Sequence, residues 1–119
     1  MACSPVVMVV EWDVPPSQVR PVAAALHGVM LSTREQRGFL GCSLATEVGT
    51  RVTLRYEESW ATQEALEEQL RSERFAVLCR LIESAVCHPR VEFALPGGTR
   101  GLDYAQALRE ATRDVTNAS

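Results

Sequence analysis

The stretch RVTLRYEESWATQEALEEQLRSERFAVLCRL, residues 51–81, decides the fold of this chain. Apolar and polar residues alternate along its first part, which predicts a β-strand that ends at Trp60. Thr62 and Ser72 then occupy the N-cap positions expected of two successive helices. Trp60 at the strand–helix junction and Phe75 on a buried helical face predict a small apolar cavity, and this is the candidate functional site.

The strand that ends at Trp60 presents two different faces, because residues two apart in a strand lie on the same side. One face carries Val52, Leu54, Tyr56, Glu58 and Trp60. The other face is polar and includes Arg55 and Glu57. Both faces therefore carry charge.

The rest of the chain supplies three further strands and two further helices. Val6–Val14 is an apolar, β-branched run that predicts a strand buried on both faces. An amphipathic helix is expected to begin at Ser17 and to end at Gly38. The other predicted elements are a strand over 39–47, a buried helical stripe that continues from Phe75 to Ala85 and Val86, a strand over 91–95 and a helix over 103–115.

This order, β-α-β-β-α-β with an appended helix, predicts one α+β domain over residues 1–119 with its core over 6–95. Right-handed crossovers would give a ferredoxin-like, four-stranded antiparallel sheet with helices on one face. The other sheet face would remain bare. A second copy of the chain is its simplest cover, so we expect a homodimer through the sheet faces.

Composition excludes several classes of partner. The net charge is −3, with acids and arginines interspersed, which argues against nucleic acid. No apolar run approaches the ~20 residues that cross a bilayer, and the first residues lack the basic region of a signal peptide. We therefore expect no membrane partner and a cytoplasmic location. Lysine is absent, which excludes a Schiff-base lysine and a P-loop lysine.

The cysteines and histidines do not form a metal-binding pattern. Cys3, Cys42, Cys79 and Cys87 show no CxxC spacing, so reduced thiols are expected. His27 and His88 lie far apart in the sequence, and no group of potential ligands has zinc-like spacing. We expect no metal site.

The segment WATQEALEEQLRSERF resembles the antibiotic biosynthesis monooxygenase family of dimeric α+β barrels. Three features carry the resemblance. They are an acidic residue two positions before a Trp, a short helix that begins "eal", and a Ser and a Phe at the start of the next helix. The matching residues are Glu58, Trp60, Glu64, Ala65, Leu66, Ser72 and Phe75, with Thr33, Arg34 and Gly38 at the end of the first helix.

The resemblance implies a cofactor-independent monooxygenase that acts on a small aromatic or quinol-like substrate. Haem-degrading members of the family have an Asn on the first strand and a haem-ligating His four residues after the Phe. Val10 and Cys79 occupy those positions here, so no haem cofactor is expected and haem degradation is the weakest alternative. Many quinol-oxygenase-like members carry a His on the short helix, where this chain has Gln69.

An oxygenase of this kind deprotonates an electron-rich phenol or enol, whose anion then passes an electron to O₂ in a pocket that excludes water. Trp60 is the candidate wall and N–H donor, and Glu58 or His27 the candidate proton acceptor. The candidate lining residues are Tyr56, Met8, Val10, Met30, Phe75 and Cys79.

Each candidate also has a purely structural interpretation. Trp60 can fill the core, Glu58 can bond a partner inside the dimer, His27 can lie on a helix surface, and Cys79 can pack as a small apolar residue. The competing function is therefore a non-catalytic dimeric barrel that binds a small apolar molecule or serves in assembly.

Overall fold

A computed structural model describes residues 5–83 and 89–117, with the side chains of the last helix described as far as residue 111. The strands are β1 (Val6–Val14), β2 (Phe39–Val48), β3 (Val52–Trp60), β4 (Arg90–Leu95) and β5 (Gly98–Arg100). The helices are α1 (Val19–Thr33), α2 (Gln63–Leu70), α3 (Glu73–Ile82) and α4 (Leu102–Asn117).

The strands form one antiparallel sheet in the order β2-β3-β1-β4-β5. The α+β class and the ferredoxin-like arrangement are confirmed. The predicted number of four strands is wrong, because a fifth strand, β5, pairs with β4. Gly98 has a φ of +127°, a conformation that side-chain-bearing residues rarely adopt, and it lets the chain reverse into this short strand.

One face of the sheet forms the core, and the other faces outward. Residues at alternate positions of β1 and β3 are buried, and the residues between them are half-buried or exposed. The division of β3 into two faces is confirmed. Val7 and Val9 on the second face of β1 are half-buried in the single chain, and this is the face that the sequence predicts a second copy to cover.

The helices cover the buried face. Helix residues that complete the core are Val22, Leu26, Leu66, Leu70, Phe75, Leu78, Ile82, Tyr104 and Ala105. The predicted caps of α2 and α3 are confirmed. The side-chain oxygen of Thr62 accepts the Ala65 N–H at 3.1 Å, and that of Ser72 accepts the Phe75 N–H at 3.3 Å. The Thr62 cap starts α2 at Gln63, directly after β3 ends at Trp60, and the Ser72 cap starts α3 directly after α2.

The first helix differs from its predicted bounds at both ends. Ser17 lies in a short 3-10 turn, Pro16–Gln18, and α1 begins at Val19 without a side-chain cap. The helix ends at Thr33, before Gly38. Gly38 has a φ of +85° and turns the chain into β2.

The last helix packs against α2 and extends over Leu102–Asn117, slightly beyond the predicted 103–115. The Tyr104 hydroxyl donates to Glu67 Oε2 at 2.6 Å. Arg109 Nη1 donates to the carbonyl oxygens of Leu70 and Ser72 at 3.0 and 3.1 Å. These contacts fix α4 to the corner between α2 and α3. The predicted continuation of α3 through Ala85 and Val86 lies outside the described residues.

Candidate functional site

A buried carboxylate lies at the centre of the candidate site. Glu58 is 0% exposed, although charged side chains are rarely buried without partners. Its Oε1 accepts the Trp60 indole N–H at 3.0 Å. Its Oε2 accepts the Tyr56 hydroxyl and the Gln69 amide N–H, the latter at 3.3 Å. Three donors from two elements therefore converge on one carboxylate.

The alternation of β3 brings Tyr56 and Trp60 to this carboxylate. Both lie two positions from Glu58, so the three side chains project from the same face. Trp60 also packs edge to face against Phe39, with the ring centroids 5.7 Å apart. Burial, followed by the charge of Glu58, raises the pKa of Tyr56, so this phenol remains a hydrogen-bond donor.

The helices supply a second layer of polar groups around the carboxylate. Gln69 Nε2 donates to Thr33 Oγ1 at 3.1 Å as well as to Glu58. Arg74 Nε donates to Gln69 Oε1 at 2.9 Å. The Ser72 hydroxyl donates to the Gln69 backbone carbonyl at 2.6 Å. Together these bonds connect α1, α2 and α3 to the β3 carboxylate.

Opposing effects set the charge of Glu58. Burial raises the pKa of its carboxyl group, because a low-dielectric interior penalises the charged form. Hydrogen bonds from Tyr56, Trp60 and Gln69 and the positive charge of Arg74 act in the opposite direction, and burial prevails. The carboxylate is therefore a stronger base than a solvent-exposed glutamate.

A thiol adjoins the carboxylate on the neighbouring strand. Cys42 of β2 is the cross-strand partner of Glu58 and is half-buried. Burial and the charge of Glu58 raise the pKa of this thiol, whereas Arg34 lowers it. Cys79, farther along the chain, also has a raised pKa, mainly through burial. Neither residue has the depressed pKa that marks a reactive cysteine.

The predicted site residues fall into three groups. Tyr56 and Trp60 each donate a hydrogen bond to Glu58. Met8, Val10 and Phe75 are buried in the core beneath the helices, and Met30 and Cys79 are half-buried against it. His27 lies on the exposed side of α1, and no hydrogen bond among the described residues joins it to Glu58. The structure thus brings together two of the three catalytic candidates.

A comparison with known protein families shows which family the chain belongs to. The sequence model described as antibiotic biosynthesis monooxygenase matches residues 5–80, which is more than half of the chain.

The chain belongs to the antibiotic biosynthesis monooxygenase family.

Solved structures share the fold of this family member. A conserved protein from Methanosarcina mazei is 17% identical, with a TM-score of 0.67 over 76% of this chain and 91% of the other. Rv0793 from Mycobacterium tuberculosis is 21% identical, with a TM-score of 0.64 over 78% and 95%. A crystal structure of an antibiotic biosynthesis monooxygenase is 15% identical, with a TM-score of 0.63 over 74% and 94%. No curated protein matches the chain significantly.

Three site residues of this family member were not expected from the sequence. Gln69 appears there only as a replacement for a histidine, Thr33 only at the end of the first helix as part of the family resemblance, and Arg74 not at all. Gln69 and Arg74 belong to different helices, so no single periodicity connects them. The detectable signal is Glu58 itself, since a carboxylate on an otherwise apolar strand face requires donors from the facing helices.

The described part of the chain contains neither a candidate metal cluster nor a membrane-spanning helix. No group of three or more His, Cys, Asp or Glu residues within it could hold a metal ion. Within the same residues, no helix is both long enough and apolar enough to span a bilayer.

Proposed function

We propose that this member of the antibiotic biosynthesis monooxygenase family is a cofactor-independent monooxygenase that oxidises a small aromatic or quinol-like substrate beside Trp60. The observation that carries the proposal is the buried carboxylate of Glu58 with three converging donors. Burial strengthens Glu58 as a base, and the donors keep its carboxylate form accessible. Such a base suits the removal of a weakly acidic phenol or enol proton.

For an anthrone-like substrate, the proposed reaction converts a methylene group and O₂ into a carbonyl group and water. Glu58 takes a proton from the substrate, and the resulting anion transfers an electron to O₂. The two radicals join through a new C–O bond, and Glu58 returns its proton to the peroxide. Loss of the second C–H proton then breaks the O–O bond, leaving one oxygen atom in the carbonyl and one in water. Apolar walls protect the anion and the peroxide from solvent.

The predicted lining residues have distinct roles in this proposal. Met8, Val10 and Phe75 are the apolar walls around the carboxylate, and Tyr56 orients the substrate through its hydroxyl. Met30 and Cys79 are half-buried between core and surface, so we assign the entry path to their side of the site. His27 is exposed, and we assign the proton transfer to Glu58.

A homodimer and a cytoplasmic location are also part of the proposal. The outward sheet face combines apolar Val7 and Val9 with ion pairs from Glu11 to Arg55 and Arg90. A face that carries both signs of charge can pair with its own copy. The described cysteines Cys42 and Cys79 are free thiols, which supports a reducing compartment.

Oxygen uptake with an anthrone and with a hydroquinone tests the enzymatic proposal. We expect the protein, dialysed against chelator, to consume O₂ with either substrate. The anthrone, which has the methylene group that the reaction oxidises, should gain one labelled oxygen atom per product molecule. Glu58→Gln should lower kcat/KM by about a hundredfold or more, the scale of general base catalysis. Glu68→Gln is the matched control, because Glu68 is exposed on α2, and this variant should leave the rate within about twofold.

Two results would contradict the proposal. Full activity in Glu58→Gln would exclude Glu58 as the base. Absence of O₂ uptake with both substrate classes would favour the second candidate, a non-catalytic barrel for ligand binding or assembly. One observation supports that candidate: all the polar atoms of the Glu58 side chain are satisfied within the chain, as in a structural core network.

A further inference from the structure

The amide of Gln69 bridges the buried carboxylate and a half-buried arginine. Its Nε2 lies 3.3 Å from Glu58 Oε2, and its Oε1 accepts Arg74 Nε at 2.9 Å. Gln69 itself is 2% exposed, so water does not compete for these positions. The bridge connects α3 to the carboxylate of β3 through a single side chain.

Arginine determines which way this amide points. A guanidinium group has donors and no acceptor, so only the carbonyl oxygen of Gln69 can face Arg74. The NH₂ group must then face Glu58 and Thr33, as the distances show. With Arg74 in place, the amide therefore donates to Glu58 and favours its ionised form.

Arg74 is also the source of positive charge at the carboxylate. The titratable or charged groups that face Glu58 are Tyr56 on β3, Cys42 on β2 and Arg74 on α3. The uncharged residues beside them on β1, α1 and α2 are Met8, Thr33 and Gln69. Among these described groups Arg74 alone is a cation, and its charge lowers the pKa of Glu58.

We propose that Arg74 is a positioning residue that keeps Glu58 ionised by fixing the orientation of the Gln69 amide. Without Arg74, the amide is free to turn over and present Oε1 to the carboxyl group. In that orientation it accepts a hydrogen bond from protonated Glu58 and stabilises the neutral acid. Arg74 thus selects between two hydrogen-bonding states of one buried pair. Its importance for catalysis rests on the proposed function, whereas its effect on the charge of Glu58 does not.

The titration of Glu58 can be followed through Trp60, whose indole N–H is bonded to the carboxylate. The chain has two tryptophans, and Trp12→Phe leaves Trp60 as the only one. Trp12 Nε1 has no hydrogen-bond partner in the described structure, so this replacement removes no such bond. Trp60 fluorescence measured against pH then reports the midpoint of the Glu58 titration. The infrared band of the protonated carboxyl group is a second signal for the same midpoint.

In this background we expect Arg74→Met to move the midpoint to higher pH. Arg74→Lys keeps the charge and a less directional donor, so it should move the midpoint in the same direction by a smaller amount. Arg80→Met is the matched control on the same helix, because the Arg80 side chain is 62% exposed and pairs with Glu73. It should leave the midpoint unchanged.

The inference would be overturned if a folded Arg74 variant, either Arg74→Met or Arg74→Lys, showed the same Glu58 midpoint as the parent protein. A purely structural role for Arg74 would lower the melting temperature and leave the midpoint in place. The titration needs no substrate, so it is independent of the oxygen-uptake experiment. A shifted midpoint in a protein without oxygenase activity would refute the proposed function and retain this inference.

Discussion

At the scale of single residues, the ionisation of Glu58 couples the candidate site to stability. Burial raises the pKa of this group above its ordinary value of 4.5, so the folded chain binds its proton more tightly than the unfolded chain does. The corresponding stabilisation is fully present below the unfolded pKa. It is lost as the pH rises through the folded pKa.

A comparison of the parent protein with Glu58→Gln isolates this contribution. The amide that replaces the carboxyl group in this variant cannot ionise. The difference in the free energy of unfolding, parent minus variant, should therefore fall as the pH rises from about 4.5 upward. Denaturant titrations of both proteins at a series of pH values measure the difference, since other titrating groups contribute equally to both. A difference that is constant, or that grows with pH, would contradict the raised pKa of Glu58.

The sequence predicts the strand half of the site and misses much of the helical half. Tyr56, Glu58 and Trp60 follow from period-two alternation, because a strand fixes the side of every residue. The positions of Gln69 and Arg74 depend on how two short helices meet at a corner. That angle is determined by tertiary packing, which local periodicity does not encode.

At the scale of elements, Gly38 controls how closely β2 approaches α2. Its φ of +85° disfavours any side chain, and a Cβ there would lie 2.6 Å from the Ala65 Cβ. Its carbonyl oxygen accepts the Ala61 N–H at 2.7 Å, which ties the start of β2 to the end of β3. The sequence predicts that Gly38 ends the first helix, whereas the close approach to Ala65 is visible only in the folded structure.

We therefore expect Gly38→Ala to lower the free energy of unfolding by about 1–3 kcal/mol, the range for overpacked sites. Gly28→Ala is the matched control, because Gly28 is an exposed position within α1 with no atom within 4 Å of an added Cβ. It should raise stability by about 0.5–1 kcal/mol through helix propensity. Equal effects of the two substitutions in chemical denaturation would show that the Ala65 contact is unimportant.

At the scale of the whole molecule, the outward sheet face is the surface proposed to pair with a second copy. Val9 lies at its middle, with Glu57 and Glu92 as its cross-strand partners. An added carboxylate at this position would be surrounded by like charges and would lie in the proposed interface.

Val9→Asp should convert a dimer into a folded monomer in sedimentation equilibrium at micromolar concentration. Val48→Asp is the matched control, since Val48 is 79% exposed near the end of the edge strand β2, and this variant should remain dimeric. Circular dichroism confirms that both variants fold. A monomeric parent protein, or a dimeric Val9→Asp, would place the interface elsewhere or exclude it.

The family match ends at residue 80, before β4 and α4 begin. β4 nevertheless borders β1, the middle strand of the sheet, and α4 supplies Arg109 to the carbonyls at the α2–α3 corner. A polypeptide shortened to the matched segment would expose one side of β1 and release the corner that carries Gln69. The residues that complete the sheet and fix the α2–α3 corner therefore extend beyond the matched segment.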